Sequence, residues 1–168
     1  DSYRMLRYIG LFTQYPRSAL GLKTLLRDAL DVDRVEVEQC VLRQVKIPED
    51  QRCYLGLEGA RLDEDAWLGE EMDDRMGKVQ VSVGPLPEAD FHSLLPGGGR
   101  YRWALVLIRF FLIAPLEVDL ELSVRPEEVV TAQLGQEKWG RLGLDTWCFA
   151  GDRIAEAKVG FPNVGDGA

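Results

Sequence analysis

YRWALVLIRFFLIAPLEVDLELSVRP, residues 101–126, decides the fold class. From Tyr101 to Ile113 apolar side chains fall nearly all round a 3.6-residue wheel, which predicts a central helix. Pro115 stops it. Leu116, Val118, Leu120, Leu122 and Val124 then alternate with Glu117, Asp119, Glu121, Ser123 and Arg125, the two-residue period of a half-buried strand. Pro126 ends that strand.

The first part of the chain has the same outline. Ser18, just after Pro16, suits a helix N-cap, and Leu22, Leu25, Leu26, Ala29 and Leu30 form one apolar stripe behind it. Val35, Val37, Val41, Val45 and Ile47 share one parity with Gln39 and Arg43. A strand is therefore expected from 35 to 47, bulged or bent in the middle and closed by Pro48. Residues 49–76 read as irregular. Val79, Val81 and Val83 make a short strand broken at Gly84-Pro85, and Pro87 opens a helix that runs to Leu95. The reading is an α+β fold of two related helix–strand halves with mixed or antiparallel sheets. Residues 1–16 are a helix end and linker, 17–95 the first half, and 100–168 the second, with PGGG at 96–99 as a flexible connection. LLRDALDVDRVEVEQ (25–39) matches LIRFFLIAPLEVDLE (107–121) in outline, and LGLE (55–58) matches LGLD (142–145). A duplication leaves that pattern, and helix–strand patterning also gives it by chance.

The chain has 168 residues, 46% of them hydrophobic, enough for a core without disulfide staples. Its net charge of −8 argues against a general nucleic-acid binder, which needs a basic face to displace counterions from phosphates. Cys40, Cys53 and Cys148 are odd in number and show no CxxC spacing. They are expected to be free and mostly buried thiols, as in a reducing cytosol. The apolar run Trp103–Ile113 is about half of the ~20 residues a membrane span requires and contains Arg109, so it reads as a core helix. The chain begins at Asp1 without Met or a secretory leader, as expected for a fragment or trimmed form of something longer.

The search for chemistry comes back empty. Glu58 to Arg75 carries eight acidic residues and two arginines, a local balance of −6. Its LDEDAWLGEEMDD stretch lacks the D-x-D-x-D-G spacing of a calcium loop, so a solvated acidic surface is the expectation. The alternative is a small cation-dependent hydrolase using the 58–75 carboxylates. PGGGR lacks the GK[ST] ending of a phosphate loop. His92 has no sequence-local Asp or Cys and reads as a partly buried structural histidine. Cys40 and Cys148 lie in apolar stretches with no evident cation to activate a thiol, and no serine sits in a G-x-S-x-G elbow. No catalytic, cofactor-binding or metal-binding residue is expected. Trp67, Trp139, Trp147, Tyr54 and Phe161 fall in or beside loops, where aromatics either pack beneath the loop or anchor a partner.

Several phrases, read in order, resemble one family. They are RYIGLFTQYPRSALGLKTLLRDAL (7–30), VEVEQ (35–39), IPEDQRCYLGL (47–57), DRMGKVQVSVGPLPEADFHSLLPGG (74–98), EVDLELSVRPEEV (117–129) and LGQEKWGRLGLDTW (134–147). Together they look like the C-terminal part of TssG (ImpH/VasB), a baseplate protein of bacterial type VI secretion. The chain departs from the pattern at Gln39-Cys40 and Arg43-Gln44-Val45, where an aromatic-rich passage is expected, and after Arg75, where a glutamine is missing. The resemblance implies a cytoplasmic, non-enzymatic wedge subunit docked at the inner-membrane complex. It would bridge TssF to the trimeric adaptor TssK and to the sheath and hub components, TssE and the spike hub. It implies no direct membrane insertion, no nucleic acid and no cofactor. If the repeat is real, the loops Pro48–Leu57 and Pro126–Leu144 are equivalents, each able to grip an adaptor oligomer. Pro48, Tyr54, Leu55, Gly56, Leu134, Trp139, Leu142 and Gly143 are the candidate partner-binding residues.

Overall fold

Two short helices, α1 (Ser2–Leu6) and α2 (Ile9–Thr13), lead into α3 (Ala19–Ala29) in the computed structural model, which describes residues 2–53, 69–132, 138–151 and 154–164. Ser18 caps α3 as its sequence position suggests: its Oγ accepts from the Gly21 N–H at 3.1 Å. The expected stripe, Leu22, Leu25, Leu26 and Ala29, is the buried face. Next come β1 (Val35–Glu38), β2 (Arg43–Lys46), β3 (Glu71–Asp74), β4 (Lys78–Leu86), α4 (Glu88–Leu94), α5 (Gly99–Phe111), β5 (Glu117–Val124) and β6 (Ala157–Phe161).

The chain divides into two compact units, one formed by Asp1–Gln39 with Val79–Ala168 and the other by Cys40–Lys78. The single strand expected over 35–47 is therefore two strands in two sheets. Cys40, at φ +58°, carries the chain out of one ladder before the next begins, so the polar residues that interrupt the alternation marked an exit and not a bulge.

The larger unit holds a four-stranded sheet in the order β1-β4-β5-β6. β1 is antiparallel to β4, with Val35 opposite Val83, and β5 is antiparallel to β6, with Leu120 opposite Phe161. At the centre, Ser123 Oγ donates to Val83 O and the Arg125 N–H to Leu86 O. These partners advance together along β4 and β5, the parallel sense, and the chain between them crosses over through α4 and α5 as such a pair requires. The α+β class with a mixed sheet is as the sequence predicts.

The expected halves 17–95 and 100–168 each contribute two strands to this one sheet. A duplication would equate β1 with β5, but β1 is an edge strand and β5 a central one, so the sheet does not confirm the repeat.

Alternation along β5 buries Val118, Leu120, Leu122 and Val124. With Val35, Val81 and Val83 they meet Leu25 and Leu26 of α3, Phe91 and Leu94 of α4, and Leu107 and Ile108 of α5 in one core. Each such side chain contributes roughly 1.5–3 kcal/mol on burial. β4 does not break at Gly84-Pro85 but runs through it, the buried set passing from Val83 to Leu86. Gly84 makes this possible. Its φ is +126°, and a Cβ there would lie 2.4 Å from Ser123 O.

The helix read as apolar all round is Gly99–Phe111, and only one side of it is covered. Ala104, Leu107, Ile108 and Phe111 are buried, while Val106 and Phe110 are exposed. Its C-terminus is tied down by Arg17, whose Nη1 donates to Phe110 O and Phe111 O and whose Nη2 donates to Phe12 O, all at 2.6 Å. One guanidinium thus satisfies carbonyls from two helix ends.

The smaller unit is an antiparallel β2–β3 ladder with Arg43 opposite Asp74. Arg43 Nε donates to Asp74 Oδ2 at 2.7 Å. The Met76 N–H donates to the same carboxylate, and these contacts hold the Asp74 pKa below the usual carboxylate range. β3 lies inside the stretch expected to be irregular.

Gly84→Ala should lower the unfolding free energy by about 2–4 kcal/mol, because it combines a left-handed φ with a clash on a neighbouring strand. Gly10→Ala, whose added Cβ meets nothing within 4 Å in α2, should raise it by about 0.5–1 kcal/mol. Urea melts of the two variants check both signs.

Candidate functional site

The described residues bring side chains together most densely beneath the turn that follows Trp139. Trp139 is 6% exposed, at φ +60°, and stacks on Phe91 with ring centres 6.3 Å and planes 9° apart. Trp147 and His92 close around it at 5.8 and 4.9 Å between ring centres. The aromatics read as loop residues are, for Trp139 and Trp147, packed beneath the loop, and Phe161 lies in β6.

The chain then turns back over Arg141–Asp145. Asp145 is fully buried, and its carboxylate closes the turn. Oδ1 accepts from the Arg141 N–H at 2.8 Å, and Oδ2 accepts from Arg141 Nε and Nη2 at 3.1 and 2.9 Å. His92 Nδ1 lies 3.4 Å from the same Oδ2. At the tip Leu142 is 92% exposed, followed by Gly143 at φ +77°. An apolar side chain stands in water on a turn whose base is fixed.

A second apolar surface lies across α1, α2, α3 and the C-terminal end of α5. Tyr3, Leu6, Ile9, Tyr15, Leu20, Phe110 and Ile113 are all more than half exposed. Phe12 and Phe110 meet edge to face at 5.6 Å, and Arg4 lies over the Trp103 ring. Exposed apolar surface on well-ordered helices is what an unfilled contact looks like.

The other concave places hold paired charge. A 540 Å³ cavity beside α4 and α5 is lined by Arg4, Asp31, Asp90, Arg100 and Trp103. There Arg100 is bonded to Asp90. Lys23 of α3 pairs with Glu36 of β1 at 2.8 Å and Lys158 of β6 with Glu156 at 2.7 Å, exposed pairs of little energetic weight. Among the described residues no three of His, Cys, Asp and Glu are placed to hold a metal ion, and no helix is long and apolar enough to cross a membrane.

Of the residues singled out in the sequence, Trp139, Leu142 and Gly143 come together in this turn, Trp139 as its buried base and the other two at its tip. Pro48 is exposed in the smaller unit, ahead of a 3-10 turn at Glu49–Gln51. Tyr54, Leu55, Gly56 and Leu134, with Trp67 and most of the acidic 58–75 segment, lie outside the described residues. All three cysteines are free, but Cys40 and Cys148 are exposed rather than buried, since both sit in non-strand backbone. Sequence reasoning missed the Arg141–Asp145 clasp. The signal available was an Arg and an Asp four residues apart around a glycine.

The family model for "Type VI secretion, TssG" matches residues 1–148. The chain belongs to the TssG family. No curated protein sequence matches it. Among solved structures, it is similar to a chain in the type VI secretion TssK–TssF–TssG baseplate subcomplex determined by cryo-electron microscopy. That match has a TM-score of 0.76 and 20% identity, and covers 99% of this chain and 72% of that one. It is also similar to a chain in the baseplate complex from the type VI secretion system, with a TM-score of 0.60 and 22% identity, over 94% of this chain and 45% of that one. At these identities the likeness is one of fold.

In this TssG chain His92 is a structural histidine with a pH signature. Burial holds its pKa below the ordinary value near 6.5. Asp145 pulls the other way, but that carboxylate is already engaged by the Arg141 guanidinium, while Lys138 adds to the lowering. A histidine kept neutral by folding contributes stability that is fully present above its unfolded pKa and lost as pH falls toward the folded value. Chemical denaturation between pH 8 and 5 should therefore show stability declining below about pH 6.5. His92→Gln should flatten that part of the profile.

Proposed function

We propose that the chain works as a structural wedge subunit of a type VI secretion baseplate, holding TssF and the adaptor TssK in fixed relation without catalysing a reaction. Membership in the TssG family and the likeness to chains from baseplate assemblies support this reading. The observation that carries it is apolar surface presented by rigid elements: Leu142 on a clasped turn, and Phe110 and Ile113 at the tied-down end of α5.

Each surface suits a different class of contact. The turn offers one protruding side chain, the form taken by an anchor that fills a pocket. It is the better candidate for the adaptor, alongside Pro48, Tyr54, Leu55 and Gly56. Leu134 is a further candidate residue for that contact. The α1–α2–α5 surface is broad and apolar, the form of a permanent subunit interface, and is the better candidate for TssF. TssE and the spike hub are the further partners the family resemblance adds. In this reading the protein is cytoplasmic, meets the inner-membrane complex only as part of the baseplate, and passes force through contacts that do not rearrange internally.

Co-expression with TssF and TssK, followed by size-exclusion and mass measurement, tests the proposal. A stable complex containing all three is expected. Phe110→Asp with Ile113→Asp should remove TssF from the complex. Leu142→Ala should weaken TssK binding about tenfold or more, the loss typical of an interface anchor. Leu142→Ala should leave the melting temperature unchanged, since that side chain faces solvent, while the paired change at the end of α5 should lower it only slightly, through the lost edge-to-face contact of Phe110 with Phe12. A folded chain that ignores both partners would end the proposal.

A further inference from the structure

The Arg141–Asp145 turn closes on itself. Both oxygens of the Asp145 carboxylate are taken up by Arg141, four residues earlier, through its backbone N–H and its guanidinium fork. The Leu144 and Asp145 N–H groups both donate back to Arg141 O at 3.1 Å. Trp139 anchors the start of the turn in the core, and Gly143 supplies its left-handed residue with open space around it.

Stability alone is a poor reason for this arrangement. Taking a carboxylate entirely out of water is expensive, and replacing a buried pair by apolar side chains is often neutral or stabilising. What this arrangement supplies is direction: Nε and Nη2 of one planar guanidinium close on Oδ2 while the backbone N–H of the same residue holds Oδ1, so the carboxylate accepts one orientation.

We infer that Asp145 is a positioning residue for partner docking: it fixes the turn so that Leu142 is presented as a preformed apolar knob, next in sequence to the part-exposed Arg141. The partner surface it fits is an apolar pocket with carbonyl or carboxylate oxygens at its rim. This rests on the proposal above that the turn meets the adaptor. The gain is preorganisation. A knob already held in its bound conformation does not lose the entropy of ordering five residues on binding. Leu142 is the most exposed of the large apolar side chains described, which is hard to reconcile with a turn fixed this firmly unless the fixing serves the exposure.

Hydrogen exchange and TssK affinity, measured on the chain in complex with TssF, test the assignment. Asp145→Ala should speed exchange of the Arg141 and Leu144 amides tenfold or more while β4 and β5 amides keep their protection. Affinity for TssK should fall as far as it does for Leu142→Ala. The two changes combined should lose little more than either alone, because an unclasped turn no longer presents the knob. Asp145→Asn, which keeps volume and one acceptor, should fall between. Additive losses, or an opened turn with unchanged affinity, overturn the assignment. So does a parallel loosening of the sheet amides, which would make Asp145 a general stabiliser. Wild-type affinity in Leu142→Ala would instead defeat the docking proposal and the knob with it, while the exchange pattern would still decide whether Asp145 sets the turn.

Discussion

Two parallel strands at the centre of a sheet cannot be joined by a hairpin, and this constraint organises the larger unit of the molecule. β4 leaves the sheet at Leu86, and the chain must travel back to the other end before β5 can begin at Glu117. The return journey is α4 and α5. Both helices contribute to the single core, so they line the sheet face that carries Val81, Leu120 and Leu122. The opposite face is left to Glu36, Ser82, Glu121 and Lys158. Once the crossover is in place, α3 can pack against α5 and β1 and complete the helical layer. Arg17 then locks the far end of the crossover by bonding the carbonyls at which α5 runs out.

The same constraint builds the candidate site. α4 places Phe91 and His92 at consecutive positions, so one ring enters the core and the other lies toward its edge. Phe91 is wholly buried and becomes the platform for Trp139. His92 reaches Asp145 and lies edge-on to the same tryptophan. The floor of the turn is thus made by the crossover helix, and its walls by residues some fifty positions later in sequence. The exposed stripe of α5 has the same origin. A crossover helix lies on a sheet with one side and has neighbours only where other helices reach it: Phe110 meets Phe12 of α2 on one edge and is otherwise exposed, as is Ile113 just past the helix end.

Much of this was legible from residue type and spacing. The period-two run Val118, Leu120, Leu122, Val124 and the period-3.6 stripe Leu22, Leu25, Leu26, Ala29 are both found buried, because each pattern has one way to hide its apolar atoms. What failed did so for nameable reasons. Val35 to Ile47 kept its parity across Cys40 and so looked continuous, but parity says nothing about which sheet a strand joins. β3 reads EMDD, and its pairing with β2 runs through Arg43 and Asp74, a charge match that hydropathy cannot register. Gly84-Pro85 looked like a terminator, yet glycine was there for close approach to Ser123. At the site, Leu142 and Gly143 were readable as a turn. Trp139 was readable as a loop aromatic that either packs beneath its loop or anchors a partner, and it took the fold, which brings Phe91 beneath it, to show it packed. The family resemblance rested on the order of short phrases, and the match over residues 1–148 agrees with it.

A part in an assembly faces a demand that an enzyme does not: its surface must have one shape before the partner arrives, or binding energy is used up in ordering it. The chain meets that demand in the way it distributes polar groups. Arg17 and the Arg141–Asp145 pair are guanidinium forks set against backbone carbonyls or a carboxylate, the geometry that best fixes direction, and each stands next to exposed apolar surface: Phe110 and Ile113 beside the first, Leu142 beside the second. The Lys23–Glu36 and Lys158–Glu156 contacts are, by contrast, exposed Lys–Glu pairs of little energetic weight. A directional polar contact thus stands at each of the two unfilled surfaces, as expected if those surfaces exist to be covered.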